Sequence, residues 1–295
     1  MPSRPFGAVL VAMVTPMRSD GSIDFDGAQR LAKHLVDNGC DGIVVSGTTG
    51  ESPTTHAPEK VDLIRAVKDA IGARAHVVAG AGSNDTAHAV RMAEQAAEAG
   101  ANGLLSVTPY YSKPSQRGVV AHFRAIAAAT DLPVMLYDIP GRTGIPIGDD
   151  AIDTLSHVDT IVAVKDATGN VAQAKDRIAR TGLAWYSGDD HLTLEFIRVG
   201  GVGVVSVAGH VVGPAIARMF AAADAGDMAA AQAADGECEP VVQALMGAGL
   251  GAVYAKAAVQ AMGIIESRFV RLPQVPLDDD EYGRLRAALV GAGIL

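Results

Sequence analysis

The fold this sequence predicts is a closed (β/α)8 TIM barrel with a C-terminal helical extension, on three observations. Eight short β-rich runs alternate with longer amphipathic segments as far as about residue 225. The runs are apolar on both faces, as parallel strands sandwiched between a barrel interior and covering helices must be. The 295 residues accommodate the roughly 250 that such a barrel uses and leave a remainder of strongly helical pattern. The chain accordingly divides into a barrel over 1–226 and a helical region over 227–295.

The first strand falls at 9–14. The apolar run from Ala8 to Val14 imitates a secretory leader, but it has no small-residue cleavage site and is followed at once by Thr15 and Pro16. Phe25, Ala28, Leu31 and Leu35 then share one helical face, which Gly39 closes before the strand at 42–45. Pro58 suits the first turn of the next helix, after Thr55 and His56. Val61, Ile64, Val67 and Ile71 form its buried face and Gly72 its end. A strand at 76–79 follows, then a helix capped by Asn84 or Asp85 and closed near Ala99 and Gly100. The strand at 103–107 leads to a helix carrying Val119, Phe123 and Ile126 on one face. Further strands lie at 133–137, 161–165, 184–187 and 203–207. Helical pattern resumes at 228–246 and 250–262, a proline-containing break occupies 273–276, and Asp278 to Glu281 open a last helix over 279–290, where acidic residues favour the dipole.

A doubly wound open sheet is the rival architecture. Gly80-Ala81-Gly82 and Gly200-Gly201-Val202-Gly203 are the glycine clusters near strands, and neither has the spacing of a dinucleotide fingerprint. With 33 acidic against 24 basic residues and a formal charge of −9, the chain does not suit nucleic acid. Its apolar runs fall far short of the roughly 18 residues of a membrane helix. Only Cys40 and Cys238 are present, about two hundred positions apart and without His at ligand spacing, so neither disulfide framework nor metal is expected and the cytoplasm is the simplest location.

In such a barrel the chemistry sits at the carboxyl ends of the strands. Of seven lysines, Lys33, Lys60, Lys68, Lys175 and Lys256 fall on helical patterns and Lys113 in a loop; Lys165 alone ends a buried strand, after Ile161-Val162-Ala163-Val164. Desolvation there lowers a lysine below its reference pKa of about 10.4, and the free amine can form an imine with a carbonyl substrate. The structural alternative, an ion pair with Asp166 or another carboxylate, is equally compatible with the strand position. Imine chemistry also needs a proton carrier, which Tyr137 at the end of the neighbouring strand can supply. As a lone residue Tyr137 is better read as a barrel-mouth aromatic with its hydroxyl on backbone, and it is the neighbouring turn that shifts the balance. The Gly47-Thr48-Thr49-Gly50 turn offers two hydroxyls and backbone N–H groups to a small carboxylate. Trp185 and Tyr186 read as packing residues, and His210 as a hydrogen-bonded loop histidine.

Gly47-Thr48-Thr49-Gly50-Glu51-Ser52, Pro109-Tyr110-Tyr111, Tyr137-Asp138-Ile139-Pro140-Gly141-Arg142-Thr143, Val164-Lys165-Asp166 and Ser187-Gly188-Asp189-Asp190 resemble, in order and spacing, the dihydrodipicolinate synthase and N-acetylneuraminate lyase family. Each motif is short, but five in register on one βα framework are specific, and the likeness covers nearly the whole chain. The stretches 46–54 and 136–143 look most like actinobacterial synthases.

The resemblance implies that Lys165 forms a Schiff base with pyruvate, that Tyr137 donates and accepts protons, and that Thr48 and Tyr111 complete its relay. It further implies that this second tyrosine enters from the adjacent subunit, and hence a homotetramer built as a dimer of dimers. Thr49 and the backbone at Val205 would hold the pyruvate carboxylate, with Gly188 close by. Arg142 would bind the carboxylate of L-aspartate 4-semialdehyde, a bidentate partner that suits a guanidinium; its structural alternative is a surface salt bridge. The implied reaction condenses the two substrates to 4-hydroxy-tetrahydrodipicolinate, in lysine and diaminopimelate biosynthesis, with no metal or organic cofactor. Related pyruvate aldolases, acting on N-acetylneuraminate, a keto-deoxy sugar acid or hydroxy-oxoglutarate, are the alternative, and a non-catalytic binding barrel is a third. Asp138 departs from the family's usual asparagine. Lys60 and His88 stand where lysine-inhibited members have His and Glu, so weak or absent lysine feedback is expected, because a cation at 60 repels the effector's ammonium groups.

Overall fold

The computed structural model describes residues 3–247, 249 and 251–295. Eight parallel strands close into one barrel in sequence order: β1 (Val9–Ala12), β2 (Gly42–Val45), β3 (His76–Gly80), β4 (Gly103–Val107), β5 (Val134–Asp138), β6 (Ile161–Asp166), β7 (Ala184–Ser187) and β8 (Gly203–Ser206). Around them run α1 (Phe25–Asp37), α2 (Ala57–Ile71), α3 (Thr86–Glu98), α4 (Gln116–Ala127), the short α5 (Pro140–Thr143), α6 (Asp149–Leu155), α7 (Val171–Thr181), α8 (Thr193–Arg198) and α9 (Gly209–Asp224). The chain continues through α10 (Met228–Met246), α11 (Gly251–Ala261) and α12 (Asp279–Gly291). The expected helix start at 250 lies outside the described residues. Among the described residues no single helix is long and apolar enough to cross a membrane.

The helices start where side chains can take their orphan N–H groups. Asp24 caps α1 by accepting from Gly27 N–H, and Asp85, rather than Asn84, caps α3 through Ala87 N–H. His56 and Glu59 form a reciprocal capping box on α2, and Asp278 and Glu281 do the same on α12. The buried faces of α1, α2 and α4 contain the expected apolar sets, with Phe25 and Val61 half-buried at the edge.

Strand ends differ from expectation by one or two residues, each for a local reason. Val14 N–H is taken by the His210 imidazole at 3.0 Å, so β1 stops earlier. Val207 N–H is taken by Asp190 at 2.9 Å, which ends β8 at Ser206. Pro133 has no N–H to donate, and β5 begins at Val134. Phe6, Leu10, Val44, Val78, Leu105, Met135, Ala163, Tyr186 and Val205 fill the interior, while a larger apolar layer joins the strands' outer faces to the helices. The barrel interior is therefore packed, and chemistry belongs at its carboxyl end.

Candidate active site

One irregularity decides where the key amine points. On β5, Val134 and Leu136 pack outward and Met135 and Tyr137 inward. Ile161 on β6 faces outward opposite Val134, so strict alternation would turn Ala163 and Lys165 outward as well. The register instead skips Val162, pairing Met135 with Ala163 and Tyr137 with Lys165. Val162 and Ala163 both pack against the interior cluster. This one-residue bulge reverses the phase of everything after it. Lys165 thereby enters the barrel between Tyr137 on β5 and Tyr186 on β7.

Lys165 is 5% exposed, and its Nζ lies 4.3 Å from the Tyr137 ring centroid. Asp166 points the other way and is satisfied elsewhere, accepting from Thr168 N–H and from Trp185 Nε1–H at 2.9 Å each, which removes it as the amine's ion-pair partner. Burial pulls the Lys165 pKa down to about 8. The Asp190 and Asp189 carboxylates oppose that shift and Arg142 adds to it. At pH 7 such a lysine carries roughly 300-fold more free amine than one at its ordinary value.

A pH dependence follows from this shift. Imine formation with pyruvate, followed as the initial rate of borohydride trapping, should rise with pH and reach half its plateau near 8. Asp189→Asn removes an anion that favours the ammonium form, so the midpoint should move to lower pH. A midpoint that stays fixed or rises would contradict the assignment.

Tyr137 is held from both ends. Its carbonyl accepts from the N–H and the hydroxyl of Thr108, at 3.0 Å each. Burial pushes its phenol well above the usual tyrosine range; the Arg142 cation and a hydrogen bond with the Thr48 side chain pull the other way. The phenol is therefore protonated and available as a donor.

The 47–51 turn is closed by Glu51 N–H on Thr48 O and Ser52 N–H on Gly47 O, both at 3.1 Å, and Thr15 Oγ1 donates to Gly50 O at 2.7 Å. Ser46 and Glu51 have left-handed backbones with φ of 57° and 58°, and Tyr111 and Lys113 lie at 73° and 47°. Each costs on the order of 1 kcal/mol outside glycine. All four stand in the loops after β2 and β4, and such strain concentrates where a loop's shape is used. Gly80 is required by the same turn, since an added Cβ would lie 2.2 Å from Ser46 O. A Cβ on Gly188 would lie 2.9 Å from Ala167 Cβ and 3.1 Å from Lys165 Cε, so glycine there leaves the lysine arm its room.

A cavity of about 680 Å³ opens at this end of the barrel. Thr48, Tyr137 and Arg142 border it, as do Lys60, Asn84 and His88. Lys165 stands behind Tyr137 rather than on the cavity wall, with Gly188 against its arm and Thr49 and Val205 buried. Lys60 Nζ donates to Ser52 Oγ at 2.9 Å, and burial takes its pKa down to about 8. Tyr111 is not brought to Tyr137 within the chain: it is 88% exposed, and Tyr110 takes the place on the cavity wall.

Two carboxylates had no role assigned from sequence although their motif stood out. Asp190 accepts from Val207 N–H and Ala208 N–H, at 2.9 and 3.0 Å, and from the Ser206 hydroxyl, tying the β7 and β8 loops together at the start of α9. Asp189 acts electrostatically on both Lys165 and Tyr137. The available signal was a pair of acids directly after a buried strand. Asp138, behind the site, accepts from Ile147 N–H at 3.1 Å and lies 3.3 Å from Arg177 Nη1, so it fastens the loop that carries Arg142. His210 is neutral: burial pushes its pKa down to about 4, Nε2 accepts from Val14 N–H, and Nδ1 donates to Val207 O at 2.8 Å.

The model of the dihydrodipicolinate synthetase family matches residues 5–292. The chain belongs to that family. A 4-hydroxy-tetrahydrodipicolinate synthase of Bifidobacterium longum is 50% identical over 293 residues, spanning 99% of this chain and 97% of the relative. The dihydrodipicolinate synthase of Cyanidioschyzon merolae, solved with lysine bound, superposes with a TM-score of 0.94 at 42% identity, covering 99% of this chain and all of that one. The chloride-inhibited dihydrodipicolinate synthase of Acinetobacter baumannii, solved with pyruvate, gives a TM-score of 0.94 at 35% identity over 99% of this family member and 100% of that chain.

Proposed function

We propose that this chain condenses pyruvate with L-aspartate 4-semialdehyde to give 4-hydroxy-tetrahydrodipicolinate, serving lysine and diaminopimelate synthesis in the cytoplasm. The observation that carries the reading is a buried lysine with a lowered pKa beside a protonated tyrosine at the carboxyl end of the barrel.

The Lys165 amine adds to the pyruvate ketone, and the carbinolamine loses water with a proton supplied by Tyr137, leaving an imine. Loss of a methyl proton gives the enamine, whose carbon adds to the aldehyde carbon of the second substrate; the resulting alkoxide takes a proton. The product's own amine then displaces Lys165 from the imine carbon, closing the ring and freeing the lysine. Thr48 orients the Tyr137 phenol, and Tyr111 of the partner subunit completes the relay to solvent. Thr49 and the backbone at Val205 hold the pyruvate carboxylate, and Gly188 leaves space for the lysine arm. Arg142, facing the cavity with Tyr137, receives the carboxylate of the aldehyde.

Arg142→Ala is the discriminating test. It should lower kcat/KM for aspartate semialdehyde by about 10²- to 10³-fold, the loss of a charge-assisted bidentate contact, while borohydride still traps pyruvate on Lys165. Undiminished turnover of the semialdehyde, or turnover of sugar acids alone, would favour the related aldolases.

Assembly is proposed as a dimer of dimers. Feedback by lysine is proposed to be weak, because Lys60 places a cation on the wall of the cavity that His88 also borders. Turnover should stay above half its starting rate in millimolar lysine, and half-inhibition at micromolar lysine would overturn this.

A further inference from the structure

The C-terminal helices send one buried charge toward the site. Lys256, in α11, is 0% exposed, and its ammonium pairs with the Glu51 carboxylate. It also donates to Phe269 O at 2.9 Å. The other Glu51 oxygen accepts from the Arg271 backbone N–H at 2.9 Å. The Arg271 guanidinium in turn donates to Gly21 O, Thr54 O and the Glu59 carboxylate. Burial lowers the Lys256 pKa while Glu51 raises it. A buried pair of this kind adds little stability over apolar residues of the same volume. Stability alone therefore gives no reason for it.

The Glu51 backbone supplies one. Glu51 is held left-handed, at φ 58° and ψ 40°, where a non-glycine residue does not rest unaided. Its N–H closes the turn on Thr48 O at 3.1 Å, and its carbonyl accepts from Thr54 N–H and from the hydroxyls of Thr54 and Thr55. Thr48 borders the cavity together with Tyr137, and its side chain pulls the phenol's pKa down. A series of hydrogen bonds thus runs from α11 and the segment before α12, through one carboxylate, to the turn that sets Thr48 on the cavity wall it shares with the proton-carrying phenol.

We propose that Glu51 is a positioning residue, and that Lys256 and the Arg271 backbone, acting through its carboxylate, hold Thr48 in register with Tyr137. The C-terminal helices thereby set the geometry of the proton relay without touching substrate. This rests on the function proposed above, in which Thr48 and Tyr137 move protons for a Schiff base on Lys165.

The test compares imine formation with turnover in the full-length enzyme. Glu51→Gln keeps the size of the side chain and removes its charge. It should leave the yield of pyruvate trapped on Lys165 by borohydride within about threefold, and lower kcat about 30-fold or more, in the range that a displacement near 1 Å costs. The solvent deuterium isotope effect on kcat should rise, since proton transfer becomes slower. Lys256→Met should behave alike, and the Glu51→Gln/Lys256→Met pair should be no worse than either single, because each breaks the same link.

A purely structural role would lower trapping and turnover by the same factor, and that result overturns the proposal. So does turnover within threefold of the parent in folded variants, or failure of all three variants to fold. If the unaltered enzyme traps no pyruvate, the proposed function itself fails and takes this inference with it.

Discussion

Lys165→Ala should lower turnover by about 10⁴-fold or more and abolish the borohydride-stable pyruvate adduct. The amine supplies the only covalent attachment in the proposed route, so no neighbouring group can share the loss. The fold should survive, because the change removes a desolvated amine that meets no carboxylate partner from Asp166. Far-UV circular dichroism and subunit assembly of the variant should therefore match the parent. Tyr137→Phe makes the informative contrast. Its proton transfer is lost but its packing against Lys165 Nζ is retained, so the trapped adduct should form more slowly yet reach the parent's yield at long times, while kcat falls about 10²- to 10⁴-fold. A barrel that only binds a keto acid would show no such separation. Appreciable turnover by the alanine variant would remove the amine from the mechanism.

Most of the barrel was legible because parallel strands buried on both faces leave continuous apolar runs, and each was bounded by a residue with no reason to stay in a strand. Lys165 was found by position, at the end of such a run. Its direction was not legible: counting alternate residues from Ile161 sends it toward the helices, and only the extra residue at Val162, seen as a shift in register against β5, turns it inward. A bulge depends on what the neighbouring strand offers, and a single run of letters does not contain that. Asp138 shows the same limit, since its meaning lies in Arg177, far along the chain. Lys256 was assigned to a helix, correctly, yet its partner Glu51 lies 205 residues away. Helical periodicity reports which face is buried and nothing about which charge will meet it there.

Tyr111 poses the question that one chain leaves for two. It is 88% exposed with a left-handed backbone, an arrangement that spends strain to push a large aromatic into solvent. Reach into a second copy gives that strain a use, and a two-fold interface makes the exchange mutual. Tyr111→Phe alone should lower kcat about 10²-fold by interrupting the relay, and Lys165→Ala is inactive for a different reason. Mixed after dissociation and reassociation, the two should complement. In each hybrid dimer one site combines Lys165 from the Tyr111→Phe chain with Tyr111 from the Lys165→Ala chain, while the other site has neither. Random pairing makes half the dimers hybrids with one working site in two, so activity should return to about one quarter of the parent's. If isolated hybrids are no more active than Tyr111→Phe homodimers, the tyrosine does not serve a partner's site, and the relay must be completed within each chain.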